Sequence, residues 1–104
     1  MRGEVVIVPF PFSDLSHYKH RPALIIIDTS GADAVMAAIT YSASDPHAIQ
    51  LRDEDFRTGR LNRPSFVRPT HLFTFEKGRI IKSVGSITEQ KLREVISRIT
   101  ILLG

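Results

Sequence analysis

Thr88-Glu89-Gln90-Lys91-Leu92-Arg93-Glu94-Val95-Ile96-Ser97-Arg98-Ile99-Thr100-Ile101-Leu102-Leu103-Gly104 closes the chain and decides its fold class. Leu92, Val95, Ile96, Ile99, Leu102 and Leu103 recur at the three-and-four spacing of one helix face, so the stripe is expected to be core. Thr88 stands where a side-chain oxygen can cap the first turn, and Glu89 adds negative charge beside the helix N-terminus. Gly104 follows the last periodic residue as a C-terminal breaker. No other segment sustains a helical period, and the preceding apolar stretches have strand character. Many short strands followed by one amphipathic helix predict a mainly β domain: a small, strongly curved antiparallel sheet with the helix packed across it, close to an SH3-like barrel.

Upstream of the helix, Glu4-Val5-Val6-Ile7-Val8 is a β-branched strand that Pro9 and Pro11, which lack a ladder donor, are expected to end. Pro9 to His20 then reads as a polar loop, in which Phe10 and Phe12 could fold back as a hairpin. Ala23 to Ile27 is a continuous apolar strand stopped by Asp28-Thr29-Ser30-Gly31, with Ala34 to Thr40 as its antiparallel partner at the centre of the sheet. Ala48 to Leu51 predicts a short strand, Asp53 to Phe56 a helical turn, and Arg52 to Asn62 no sustained apolar period. Ser65 to Arg68 predicts another strand, while Leu72 to Phe75 and Arg79 to Lys82, flanking Glu76-Lys77-Gly78, predict a hairpin.

At 104 residues the chain is one domain, 1–104, with a single core. A hydrophobic fraction of 42% and a charged fraction of 24% argue against disorder over most of its length. Cysteine is absent, which excludes disulfides, thiolate catalysis and thiolate metal sites together. No apolar run reaches the length of a membrane span and the N-terminus enters a strand directly, so the expectation is a cytoplasmic protein without a membrane partner. The formal charge of +3 suits contact with a polyanion but does not establish it. Its distribution says more: Lys19, His20 and Arg21 cluster before the second strand, and Arg52, Arg57, Arg60, Arg63 and Arg68 punctuate the middle.

Arg21-Pro22 joins that basic segment to the most apolar run of the first half. A guanidinium fixed at a loop–strand junction presents a planar fork of donors matched to phosphate, although an isolated surface arginine more often carries no chemistry. The order of motifs is more specific than any one of them. Arg2-Gly3-Glu4-Val5-Val6 opens the chain, Arg21-Pro22 follows a loop, Ala38-Ile39-Thr40-Tyr41-Ser42 ends a later strand and a helix closes it. This order resembles the MazF/PemK family of toxin endoribonucleases, from Gly3 to the final Leu-Leu-Gly.

The resemblance implies a toxin of a toxin-antitoxin system that cuts single-stranded RNA at selected sequences without a metal or cofactor, the 2′-hydroxyl attacking the adjacent phosphate. It also implies a homodimer and a cognate antitoxin whose flexible acidic segment covers the RNA groove. The family's arginine before proline and its strand-ending threonine correspond to Arg21 and Thr40. Arg21 would hold the nonbridging oxygens, Thr40 would fix the in-line geometry and Ser42 would add a hydrogen bond. Histidine is chemically suited to proton transfer, and His20 is favoured over His17 for its proximity to Arg21, with two exposed loop histidines without a role as the equal alternative; a metal set around them is incomplete, and no metal is expected. His17 and Lys19 would contact substrate, and Tyr18 and Tyr41 could stack bases or equally anchor the fold. Some members carry an arginine and an aspartate in the strand represented here by Ser65 to His71; Arg68 matches, but Thr70 holds the aspartate position, and a later arginine is replaced by Phe73. Two rivals follow: a noncatalytic RNA-binding barrel that has lost its base, and a CcdB-like gyrase poison. The second is disfavoured because such proteins use a C-terminal tryptophan and this chain has none.

Overall fold

The computed structural model describes residues 1–11 and 18–104. Seven antiparallel strands form one sheet: β1 (Glu4–Pro11), β2 (Tyr18–Asp28), β3 (Asp33–Thr40), β4 (Ile49–Leu51), β5 (Phe56–Gly59), β6 (Ser65–Glu76) and β7 (Lys82–Ile87). Helix α1 (Glu89–Leu103) ends the chain, capped by the Thr88 hydroxyl, which accepts from Lys91 N–H. The spatial order is β4-β6-β3-β2-β1-β7-β5, which puts β2 at the centre with β3 beside it. The two edge strands are close in sequence, joined by a 3₁₀ turn at Asp53–Asp55. Laid flat, seven strands would hold their edges about 29 Å apart, whereas the five steps from Leu51 to Phe56 reach at most about 18 Å. The sheet therefore has to curl, giving a nearly closed barrel.

Side-chain alternation sorts the core onto two faces of the sheet. On one face Val5, Leu24, Ile26, Ala37, Ile39, Ile49, Leu51, Val67 and Ile87 meet Leu92 and Val95 of α1. On the other Val6, Val8, Ala23, Ile25, Ala34 and Met36 are covered by Phe10, Phe73, Phe75 and Ile80. The helix stripe runs into the core only as far as Ile99. Leu102 is 40% exposed and Leu103 81%, because the sheet ends before the helix does.

Several elements differ from the sequence reading. β1 continues through Pro9 and Pro11, paired with His20 and Tyr18. Ile81 N–H donates to Ile7 C=O, so the edges of Pro9 and Pro11, two and four residues on, face the β7 side, where pairing has stopped at Lys82 and no donor is missed. Lys19 and His20 accordingly lie in a strand and not in a loop, and Phe12 lies outside the described residues. The hairpin expected around Glu76-Lys77-Gly78 is absent: Leu72 to Glu76 pair with β3, β4 pairs only with Ser65 to Val67 at the other end of β6, and the chain after Glu76 pairs elsewhere, Ile81 N–H donating to Ile7 C=O. After a 3₁₀ turn at Lys77–Arg79 the chain crosses to β1, and β7 pairs there and with β5, a strand the sequence did not reveal. β6 itself runs unbroken past Pro69 because it bulges: between Val67↔Ile39 and Leu72↔Ala37, residues 68–71 face the single Ala38. Among the described residues no helix is long and apolar enough to cross a membrane.

Candidate active site

Three adjoining hollows meet at the end of β3. One of about 210 Å³ is lined by Phe10, Arg21, Pro22, Ala38, Ile39, Thr40, Arg68 and His71. A second, about 470 Å³, is lined by Lys19, His20, Arg21, Thr40, Tyr41, Ser42 and Arg63. The third, about 330 Å³, is lined by Thr40, Ser44, Asp45, Pro46, Arg68 and Thr70. Thr40 borders all three, Arg21 the first two, and Arg68 the first and third.

Register explains the convergence. Ala23 pairs with Ala38, so the same antiparallel alignment carried two residues further sets Arg21 across from Thr40, on the face that bears the second apolar cluster. The β6 bulge brings Arg68, Thr70 and His71 to the same end of that face; His71 stacks edge-on against Phe10 and Phe73, with centroids 5.6 and 5.9 Å away. Thr40 Oγ1 accepts the Ser42 N–H at 3.2 Å, which orients the hydroxyl and leaves its proton to donate. The ring of Tyr41 carries the Arg63 guanidinium at 4.0 Å, a cation–π contact that a stacking base would have to share or displace.

The electrostatic anchor is Asp45, in the turn between β3 and β4. Its carboxylate accepts from His47 N–H (2.9 Å), Arg68 Nε (3.1 Å) and Thr70 Oγ1 (3.3 Å), and its side chain is only 10% exposed. The His47 N–H foremost, then Arg68 and Thr70, hold the Asp45 carboxyl below its usual range against the opposing effect of burial. Arg68 also reaches His71, with Nη1 3.4 Å from Nδ1. Arginine only donates, so Nδ1 is the accepting, unprotonated nitrogen. Burial, and secondarily the Arg68 charge, push the His71 imidazole below its ordinary pKa.

The family model of PemK-like, MazF-like toxins of type II toxin-antitoxin systems matches residues 1–103. The chain belongs to this family. No curated protein matches it. Among solved structures, a mycobacterial endoribonuclease in complex with its cognate antitoxin is similar over 100% of this chain and 92% of its own, at 21% identity and a TM-score of 0.73. MazF in the MazE–MazF complex of Deinococcus radiodurans is similar over 99% and 94%, at 18% identity and a TM-score of 0.76. The Mycobacterium tuberculosis toxin MazF-mt6 is similar over 94% and 95%, at 16% identity and a TM-score of 0.69.

In this MazF-like toxin, then, the structure brings Arg21, Thr40, His20, Lys19, Tyr41, Ser42, Arg68 and Thr70 around one set of connected hollows. His20 is exposed and borders the second hollow only, whereas His17 and the side chain of Tyr18 lie outside the described residues. Two residues escaped the sequence reading. Asp45 precedes Pro46 in what reads as an ordinary turn, and only folding brings it to Arg68, 23 positions away. His71 follows the Arg68-Pro69-Thr70 segment, yet its place beside Arg21 depends on a bulge that the sequence signals only through Pro69. Among the described residues no group of three or more His, Cys, Asp or Glu side chains is placed to hold a metal ion.

Proposed function

We propose that this toxin is an endoribonuclease that cuts single-stranded RNA at selected sequences without a metal ion, through attack of a 2′-hydroxyl on the adjacent phosphate. The observation that carries the reading is the cross-strand juxtaposition of Arg21 and Thr40, which border the same two hollows. A permanent cation and an oriented hydroxyl donor at one place are what a phosphorus centre gathering negative charge requires. Arg21 holds the nonbridging oxygens and Thr40 fixes the in-line geometry, while His20, at the rim of the wider hollow, serves proton transfer. Lys19, Tyr41, Ser42, Arg68 and Thr70 extend the contact surface along the strand, and unpaired nucleotides expose the bases and hydroxyls it would engage.

The similar mycobacterial and Deinococcus proteins are seen with their antitoxins, and the Arg21, Arg63 and Arg68 surface suits an acidic antitoxin segment that would compete with RNA. A homodimer fits the exposed apolar end of α1, where Ile101 is 70% and Leu103 81% exposed. The cytoplasm is the compartment in which such a toxin meets its RNA.

The test is cleavage of mixed-sequence RNA in excess chelator. Wild type cuts, and Arg21→Ala and Thr40→Ala each lower the rate by about 10²–10³-fold, the usual effect of removing one transition-state donor. Binding without turnover would identify a noncatalytic module instead.

A further inference from the structure

His71 is a titratable side chain lining the smallest of the three hollows, beside Arg21 and Thr40, and the reading above leaves it without a task. In-line displacement at phosphorus puts the attacking and departing oxygens on opposite sides, so a base and an acid have to flank the phosphate. Arg21 and Thr40 border both hollows; His71 stands in one and His20 in the other. A phosphate held by Arg21 and Thr40 would thus have the smaller hollow with His71 on one side and the wider hollow with His20 at its rim on the other.

We propose that His71 is the general base of this toxin, taking the 2′-hydroxyl proton at Nδ1, and that Asp45 is the positioning residue that holds Arg68 behind it. This assignment rests on the endoribonuclease reading and adds the base that Thr70, at the family's aspartate position, cannot supply. Asp45 fixes Arg68 through Nε, which leaves Nη1 directed at His71 Nδ1. That contact keeps a proton off Nδ1, and at 3.4 Å it is long enough for a substrate hydroxyl to replace. Phe10 and Phe73 brace the ring edge-on, so it does not have to be ordered when RNA arrives. Among the described residues, the charged groups lining the hollow with it are Arg68 from its own strand and Arg21 from β2, with Asp45 behind Arg68; β1 and β3 present the uncharged Phe10 and Thr40. Burial, and secondarily the Arg68 charge, favour the neutral ring, the form a base needs near pH 7.

The step balances without an external reagent. The 2′-oxygen gives its proton to His71 Nδ1 and forms the O2′–P bond; the P–O5′ bond breaks and the 5′-oxygen takes a proton from His20. The products are a 2′,3′-cyclic phosphate and a 5′-hydroxyl, and both imidazoles reset by exchange with water.

Single-turnover cleavage of a mixed-sequence RNA in chelator, followed from pH 4.5 to 8, tests this. His71→Gln should slow cleavage about 10²–10³-fold and erase the acid limb of the profile, while its binding of a 2′-O-methyl strand of the same sequence stays within about threefold of wild type. Arg68→Gln should move the acid limb to higher pH, because His71 loses the neighbouring cation. In the wild-type protein, the His71 ring titration followed by NMR should coincide with the kinetic acid limb, a measurement that needs no variant to fold. A His71→Gln enzyme with the wild-type rate and profile, or a ring titration that departs from the kinetic limb, overturns the assignment while the loss in Arg21→Ala upholds the endoribonuclease reading. Wild type that leaves RNA intact overturns both.

Discussion

Replacing Asp45 by alanine removes three hydrogen bonds at once, and their separate surroundings set the cost. The His47 N–H at 2.9 Å is a local, charge-assisted bond to a carboxylate 10% exposed, a kind that contributes about 1.5 kcal/mol. The Arg68 pair at 3.1 Å is weakened by solvent, since Arg68 is 39% exposed, and is held to about 0.5–1 kcal/mol. Thr70 at 3.3 Å adds a few tenths at most. The sum is about 2–3 kcal/mol, which for a domain of roughly this size lowers Tm by about 8–24 °C at pH 7. The sign with pH follows from the direction of the shift: the folded carboxyl titrates below its ordinary 3.8, so the stabilisation is full above 3.8 and fades as pH falls through the folded value. The Tm gap between wild type and Asp45→Ala, followed by circular dichroism from pH 7 to pH 2.5, should therefore narrow in acid. A gap below 2 °C at pH 7, or one that stays constant down to pH 2.5, would refute the anchoring of Arg68 by Asp45.

Gly59 and Gly3 form a matched comparison. At Gly59 (φ +67°) a Cβ would lie 1.9 Å from the Val84 carbonyl oxygen, while at Gly3 (φ +88°) its nearest neighbour is Leu92 Cδ2 at 3.6 Å. Gly3→Ala should cost only the backbone term, roughly 1–2 kcal/mol, and Gly59→Ala should add about 1–3 kcal/mol as the β5–β7 pair is forced apart; urea unfolding measures both, and equal costs would contradict the close approach. Thr88→Ala removes the cap on Lys91 N–H and should cost about 1 kcal/mol, read as a lower urea midpoint at unchanged m-value.

Local physics made much of this protein legible. The helical period of Leu92, Val95, Ile96 and Ile99 and the cap at Thr88 involve neighbours within a turn or two, and the apolar run from Ala23 reads as a strand buried on both faces, which it is through Ile26 before Ile27 emerges to 51% exposure. The order Arg2-Gly3, Arg21-Pro22 and Thr40 carried the family. What stayed hidden was set at long range. Pro9 and Pro11 look like strand ends until one knows that their missing donors face the side where pairing with β7 has stopped, and Glu76-Lys77-Gly78 looks like a hairpin until one knows that the chain beyond it is taken up by β1, 70 and more residues upstream.

The candidate site divides the same way. The residue types fit for phosphate, Arg21 and Thr40, stand in the sequence, but their meeting is a matter of register between β2 and β3. Asp45 reaching Arg68, and His71 turning in beside Arg21, depend on a loop and a bulge whose geometry no neighbouring residue dictates. Sequence determined which groups could do chemistry, because that is a property of each side chain. Only the curled sheet decided which of them share a phosphate, because proximity across strands is created by hydrogen-bond pairing between segments tens of residues apart.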